Sequence, residues 1–154
     1  MTELTYKPRG LYFEEFEIGQ KLVTAGRTIT ESDIVRFAGL SGDFNQIHTD
    51  AAYAAAGPFA QRVAHGLLVQ SIATGLAVQS GVIEGTVLAF RELTTKFSLP
   101  IYIGDTVHVH LEIVEKKALP RLGGGQVVMK FGILNQEGKA VQRGSWVMLV
   151  QSKQ

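Results

Sequence analysis

Residues 64–79 carry apolar or small side chains on every helical face, with no Asp, Glu, Lys or Arg among them. A helix without a polar face must be surrounded by protein. Beyond Gly85 the pattern changes to long runs rich in β-branched and aromatic residues, spanning 86–99, 105–117, 125–135 and 139–151. Three of these partly alternate, as in Val107-His108-Val109-His110-Leu111-Glu112-Ile113, which is the period of a strand. The breaks fall at 100–104, at 120–124 and at Gln136-Glu137-Gly138, the last read as a tight turn. Upstream, residues 11–19 mix apolar and acidic side chains and end on Gly19, which predicts an arm packed on the body, followed by a first strand over 21–28. Thr30 and Asp33 have capping-box spacing, and Ile34, Phe37 and Ala38 follow at helical intervals. These predict a helix from Glu31 to about Gly39, stopped where Gly39 and Gly42 can take positive φ. Asp50 is placed to cap a second short helix over 51–55, ended by Gly57-Pro58. One early strand, one enclosed helix and four long strands predict an α+β fold in which an antiparallel sheet curls around a long central helix.

Composition narrows this picture modestly. At 154 residues the chain has the size of one domain, and residues 1–154 are expected to form a single globular unit. A net charge of +1 provides no general attraction to nucleic acid or to anionic lipid, so neither is expected as a partner. The absence of cysteine excludes disulfides, thiolate metal ligands and a catalytic thiol, and is compatible with a cytoplasmic location. The first eight residues show no signal-peptide pattern, and no stretch has the length and apolarity of a membrane span.

The densest chemistry lies in Ser41-Gly42-Asp43-Phe44-Asn45-Gln46-Ile47-His48, which places a carboxylate, an amide and an imidazole within one turn region. Asp and His side by side can hold and return a proton, each biasing the ionisation of the other. Asn45 can orient one of them through its amide. In Ala64-His65-Gly66 the glycine stands at the mouth of the apolar helix, where a bare N–H backed by the helix dipole suits a developing oxyanion. Gly66 is also the residue expected where something packs closely, and the two roles are compatible. His65 is read as lining the site rather than transferring protons. Thr74 lies a little over two turns beyond Gly66 and either donates into the site or bonds back to a preceding carbonyl. His108 and His110 share one side of a strand but are read as an exposed pair, and Asp43, His48, Asp50 and His65 lack a recognisable metal-ligand spacing. Arg121-Leu122-Gly123-Gly124-Gly125 is read as a hairpin, because neither a P-loop lysine nor a helix follows.

The motif from Phe37 through Leu40 to His48, with Asp50, Ala54 and Ala64-His65-Gly66, resembles the MaoC-like dehydratase family, close to its (R)-specific enoyl-CoA hydratases. The segments 12–19 and 97–107 share the resemblance, which therefore covers most of the chain. Gln46 departs from the family pattern, which usually has proline there, and this is expected to loosen the turn. The resemblance implies a hot-dog fold and a hydro-lyase that hydrates trans-2-enoyl-CoA, or the carrier-protein equivalent, to the (R)-3-hydroxyacyl thioester and catalyses the reverse dehydration. It implies Asp43 and His48 activating one water and Gly66 N–H holding the thioester oxygen, with Thr74 where related hydratases often place a supporting serine; Asn45, His65 and Thr74 are expected to contact substrate. Tyr53, Leu67 and Leu68 are expected to wall the acyl chain. No metal or cofactor is required, since the thioester itself acidifies the α-carbon. The resemblance also implies a homodimer joined edge to edge, with room for further assembly. Two alternatives use the same scaffold: a hot-dog thioesterase, disfavoured because residues 64–79 lack an acid, and a non-catalytic acyl-thioester-binding module.

Overall fold

A computed structural model of the chain describes residues 2–153. Its long strands are β3 (Val87–Phe97), β4 (Thr106–Leu119), β5 (Gly124–Leu134) and β6 (Ala140–Gln151), each within two residues of the run predicted for it at both ends. Two short strands precede them, β1 (Lys21–Val23) and β2 (Arg27–Thr28). The sheet is antiparallel in the order β1-β4-β5-β6-β3, with β2 also paired to β4. The α-helices are α1 (Glu31–Ser41), α2 (Gln46–Thr49), α3 (Ala51–Ala55) and α4 (Gly66–Gln79). α4 packs against the sheet through Val69, Ile72, Ala73, Leu76 and Ala77, in one core with Val107, Val109, Met129 and Trp146. This is the α+β arrangement of an antiparallel sheet around a central helix expected from the pattern, and the hot-dog fold that the resemblance implies.

The first strand differs from its prediction. Residues 21–28 divide into β1 and β2 because Thr24 leaves the regular ladder: its Oγ1, rather than a backbone carbonyl, accepts from Val109 N–H at 2.9 Å. α1 also runs past Gly39. Its end is set by Gly42, whose φ of 79° places it in the left-handed region and whose N–H donates to Ala38 C=O at 2.8 Å. The Thr30–Asp33 capping box is present at its start, and Asp50 caps α3 by accepting from Tyr53 N–H at 2.9 Å.

The early arm packs as expected. Gly10 and Leu11 donate their N–H groups to Glu84 and Val82, Phe16 is fully buried, and Gly19 N–H reaches Ile113 C=O at 2.7 Å. The hairpin predicted at 121–125 is present: β4 and β5 pair as far as Leu119 and Gly124, and a single 3-10 turn, Pro120–Leu122, closed by Gly123 in the left-handed region, joins them. The turn between β5 and β6 places Gly138 at φ 74°, with its N–H on Asn135 C=O.

α4 is enclosed on one side only. Leu67 and Val78 are 57% and 42% exposed. β3, at the open end of the sheet, pairs with β6 alone among the described residues and leaves Leu88, Phe90, Leu93 and Phe97 substantially exposed.

Candidate active site

Three short elements converge at the mouth of α4. The glycine-capped end of α1 turns the chain so that Asp43 N–H donates to Ser41 Oγ at 3.1 Å, while the Asp43 carboxylate accepts from Asn45 N–H at 3.2 Å. Asn45 then caps α2 through Oδ1, and α2 presents His48 inward. The sequence placed His48 in a turn, but it lies on this four-residue helix, of which Gln46 is the first residue. That position explains the family's proline, because the first N–H of a helix lacks an internal partner and proline loses nothing there. Gln46 forms the same start, and its C=O accepts from Asp50 N–H at 3.0 Å.

His48 is 7% exposed, and its Nδ1 lies 2.7 Å from Val63 C=O. A carbonyl only accepts, so Nδ1 carries the proton and Nε2 is left as the basic nitrogen. Burial pulls the His48 pKa below the ordinary histidine value. The Val63 carbonyl and the Asp43 carboxylate oppose this by favouring the charged form, whereas His65 adds to the depression. The ring is therefore neutral near pH 7 and able to accept a proton.

His65 is 2% exposed and stacks on His48 with centroids 3.8 Å apart, while its Nε2 lies 2.9 Å from Asp43 C=O. One side-chain ligand atom from each of Asp43, His48 and His65 lies within 4.8 Å of the others. A metal takes an imidazole lone pair in the ring plane at about 2.0–2.1 Å. Two rings stacked 3.8 Å apart at 27° run alongside each other rather than meeting at such a point, so the trio suits proton transfer better than chelation.

Gly66 begins α4, and the His65 side chain makes no cap bond to that first turn. A Cβ on Gly66 would stand 2.4 Å from Phe97 Cε1, so close packing by Phe97 is one reason for glycine here. Behind the glycine, Gln142 Nε2 donates to Gly66 C=O at 2.8 Å. Asp43, His48, His65 and Gly66 all line one pocket of about 520 Å³, otherwise walled mainly by apolar groups including Phe37, Phe59, Leu67 and Ile101. The arrangement sets a carboxylate, a neutral imidazole and a helix N-terminus around a cavity fit for an apolar chain.

The remaining site expectations fall outside this pocket. Asn45 spends its side chain on capping α2. Tyr53 lines a smaller neighbouring cavity with Pro58 and Phe59. Leu68 points into the core at 7% exposure, one helical position away from the pocket-facing Leu67. Thr74 takes the back-bonding alternative, donating to Ser71 C=O at 2.8 Å. Phe97 and Gln142 line the site without having been singled out for it. Phe97 opens the 97–107 segment used in the resemblance, but Gln142 carries no sequence signal, because it reaches Gly66 only through the pairing of β6 with β3.

The model of the MaoC like domain matches residues 14–129. A 3-hydroxybutyryl-CoA dehydratase of Methylorubrum extorquens is 37% identical over 107 residues, a match covering 70% of this chain and 66%, just under two thirds, of that protein. An (R)-specific enoyl-CoA hydratase of Aeromonas caviae is 32% identical over 131 residues, covering 83% of this chain and 95% of that one. Among solved structures, an R-hydratase from Pseudomonas aeruginosa in its unliganded form superposes with a TM-score of 0.78 at 34% identity, over 94% of this chain and 88% of that one. The chain belongs to the MaoC-like domain family.

Proposed function

We propose that the protein hydrates trans-2-enoyl thioesters of coenzyme A, or of an acyl-carrier protein, to (R)-3-hydroxyacyl thioesters, and catalyses the reverse dehydration. The observation that carries this reading is the convergence of Asp43 and His48, with Gly66 beside them, on one largely apolar pocket. It is supported by relatives named as a 3-hydroxybutyryl-CoA dehydratase and an (R)-specific enoyl-CoA hydratase. Asp43 and His48 share one water, and its oxygen attacks the β-carbon of the enoyl group. A proton from the same pair is delivered to the α-carbon on the same face, giving syn addition. As electrons move onto the thioester oxygen, the Gly66 N–H and the positive end of α4 stabilise the enolate. The uncharged thioester acidifies the α-carbon by itself, so the reaction draws on no added cofactor.

The functional unit in this proposal is a homodimer. The open edge of β3 and the uncovered flank of α4 at Leu67 and Val78 both offer apolar surface that a second copy would bury. Crotonyl-CoA separates the possible activities. Loss of the conjugated double-bond absorbance without release of free thiol, with (R)-3-hydroxybutyryl-CoA as the product on chiral analysis, is the expected result. Release of free thiol would instead mean a thioesterase. Tight acyl-CoA binding without turnover of crotonyl, medium-chain or long-chain enoyl-CoA would mean a binding module.

A further inference from the structure

We infer that His65 is a positioning residue which locks the Asp43 loop and the His48 ring into one arrangement at the mouth of α4. The inference rests on the hydratase reading for its kinetic consequence, but its geometry stands apart from that reading. His65 is the N-cap residue of α4, immediately before Gly66, and its ring is 2% exposed. Its Nε2 lies 2.9 Å from the Asp43 backbone carbonyl. Because that oxygen only accepts, Nε2 carries the proton and the ring ties the catalytic loop directly to the start of the central helix.

One face of the ring stacks on His48 at 3.8 Å, and Phe37 of α1 lies against the ring at 5.0 Å, tilted by 59°. A single buried imidazole thus touches the elements that supply the acid/base pair and adjoins the residue proposed to supply the oxyanion donor. Its second nitrogen, Nδ1, is buried without a hydrogen-bond partner among the described residues. The ring stacked against His48 supplies packing and desolvation at that imidazole.

The charged and titratable groups around the pair are few. The Asp43 carboxylate faces His48 from the loop, and Arg62 donates to the His48 carbonyl at 2.8 Å while also bonded to Glu31 of α1. Neither Arg62 nor Glu31 contacts His65 through these bonds, so replacing His65 leaves that ion pair in place.

The test uses three variants of the full chain, each read by steady-state kinetics with crotonyl-CoA and by NMR titration of the His48 ring. His65→Ala removes both the donor and the stack. It should lower kcat about tenfold to hundredfold, as expected for misplaced reacting groups, with KM changed less than about threefold. It should also move the His48 midpoint upward, toward the ordinary histidine value. His65→Gln retains an amide donor for the Asp43 carbonyl, and His65→Phe retains the stack. Each should recover part of kcat, and Phe should hold the His48 midpoint nearer to that of the unchanged protein. A His48 midpoint unmoved in His65→Ala overturns the inference, as does a kcat within about twofold of the unchanged protein. If the unchanged protein hydrates no enoyl thioester, the functional proposal fails and the His48 titration still decides the role of His65. If His65→Ala does not fold, the contrast between Gln and Phe at the His48 midpoint decides it, and equal midpoints overturn it.

Discussion

At the scale of single residues, the environment of His48 determines what the site can do. Burial holds its pKa below the ordinary value, so the neutral, proton-accepting form persists to lower pH than a solvent-exposed histidine would allow. The acid limb of kcat/KM for hydration should therefore fall through a midpoint below about 6.5, the ordinary histidine value. A pH–rate profile checks this, and an acid limb at or above that value would contradict it. The sign for stability follows the same shift: a depressed histidine pKa favours the folded state above the unfolded value, and this contribution is lost as pH falls through the folded one. Asp43, His48, His65 and Gly66 were legible in the sequence because two contiguous motifs hold all four, with local turns and caps that fix their directions. Asn45, Tyr53, Leu68 and Thr74 were not resolved at that level. Whether a side chain caps a helix, bonds back to it, fills the core or faces a pocket depends on rotations of one position around an axis, which spacing alone does not settle. Gln142 and Phe97 reach Gly66 only after β3 and β6 have paired, and pairing register is a property of the sheet.

At the scale of elements, the start of α4 joins in one glycine the close approach of Phe97 and the oxyanion role proposed for its N–H. Adding a methyl at Gly66 favours the helix by up to about 1 kcal/mol from backbone propensity alone. The same methyl collides with the Phe97 ring, which can yield because it is 53% exposed. Gly66→Ala should therefore shift the denaturant midpoint little while lowering kcat about tenfold or more, since the displaced ring and the crowded N–H both lie in the site. Chemical denaturation beside crotonyl-CoA kinetics measures both, and a large loss of stability with unchanged kcat per folded molecule would contradict this account. The long strands were legible because their alternation persists over many residues. α2 was not, since four residues cannot display a helical period, and its existence depends on the Asn45 cap and on burial of His48. β1 and β2 read as one strand because nothing in the local pattern announces that the Thr24 hydroxyl will take a ladder hydrogen bond.

At the scale of the whole molecule, the pattern foretold an enclosed helix, and the single chain encloses only part of it. A segment apolar on every face is satisfied when a second surface covers what the sheet leaves open, and Leu67 and Val78 mark that uncovered flank. The unpaired edge of β3 is the natural place for a second copy to extend the sheet. Sedimentation equilibrium at micromolar concentration should then give at least twice the 16.7 kDa of one chain. A mass of one chain under those conditions would contradict the dimer and leave the exposed apolar flank to another partner.

The central claim is that Asp43 and His48 act on one water as a unit, and the most direct measurement is a double-mutant cycle of kcat for crotonyl-CoA hydration using Asp43→Asn, His48→Ala and both together. Groups that act as a unit are strongly non-additive, so each single change should lower kcat by about a thousandfold or more, and the double variant should be hardly slower than the worse single one. Single variants that retain kcat within about threefold, or losses that multiply in the double variant, would show that the two residues do not share the chemical step.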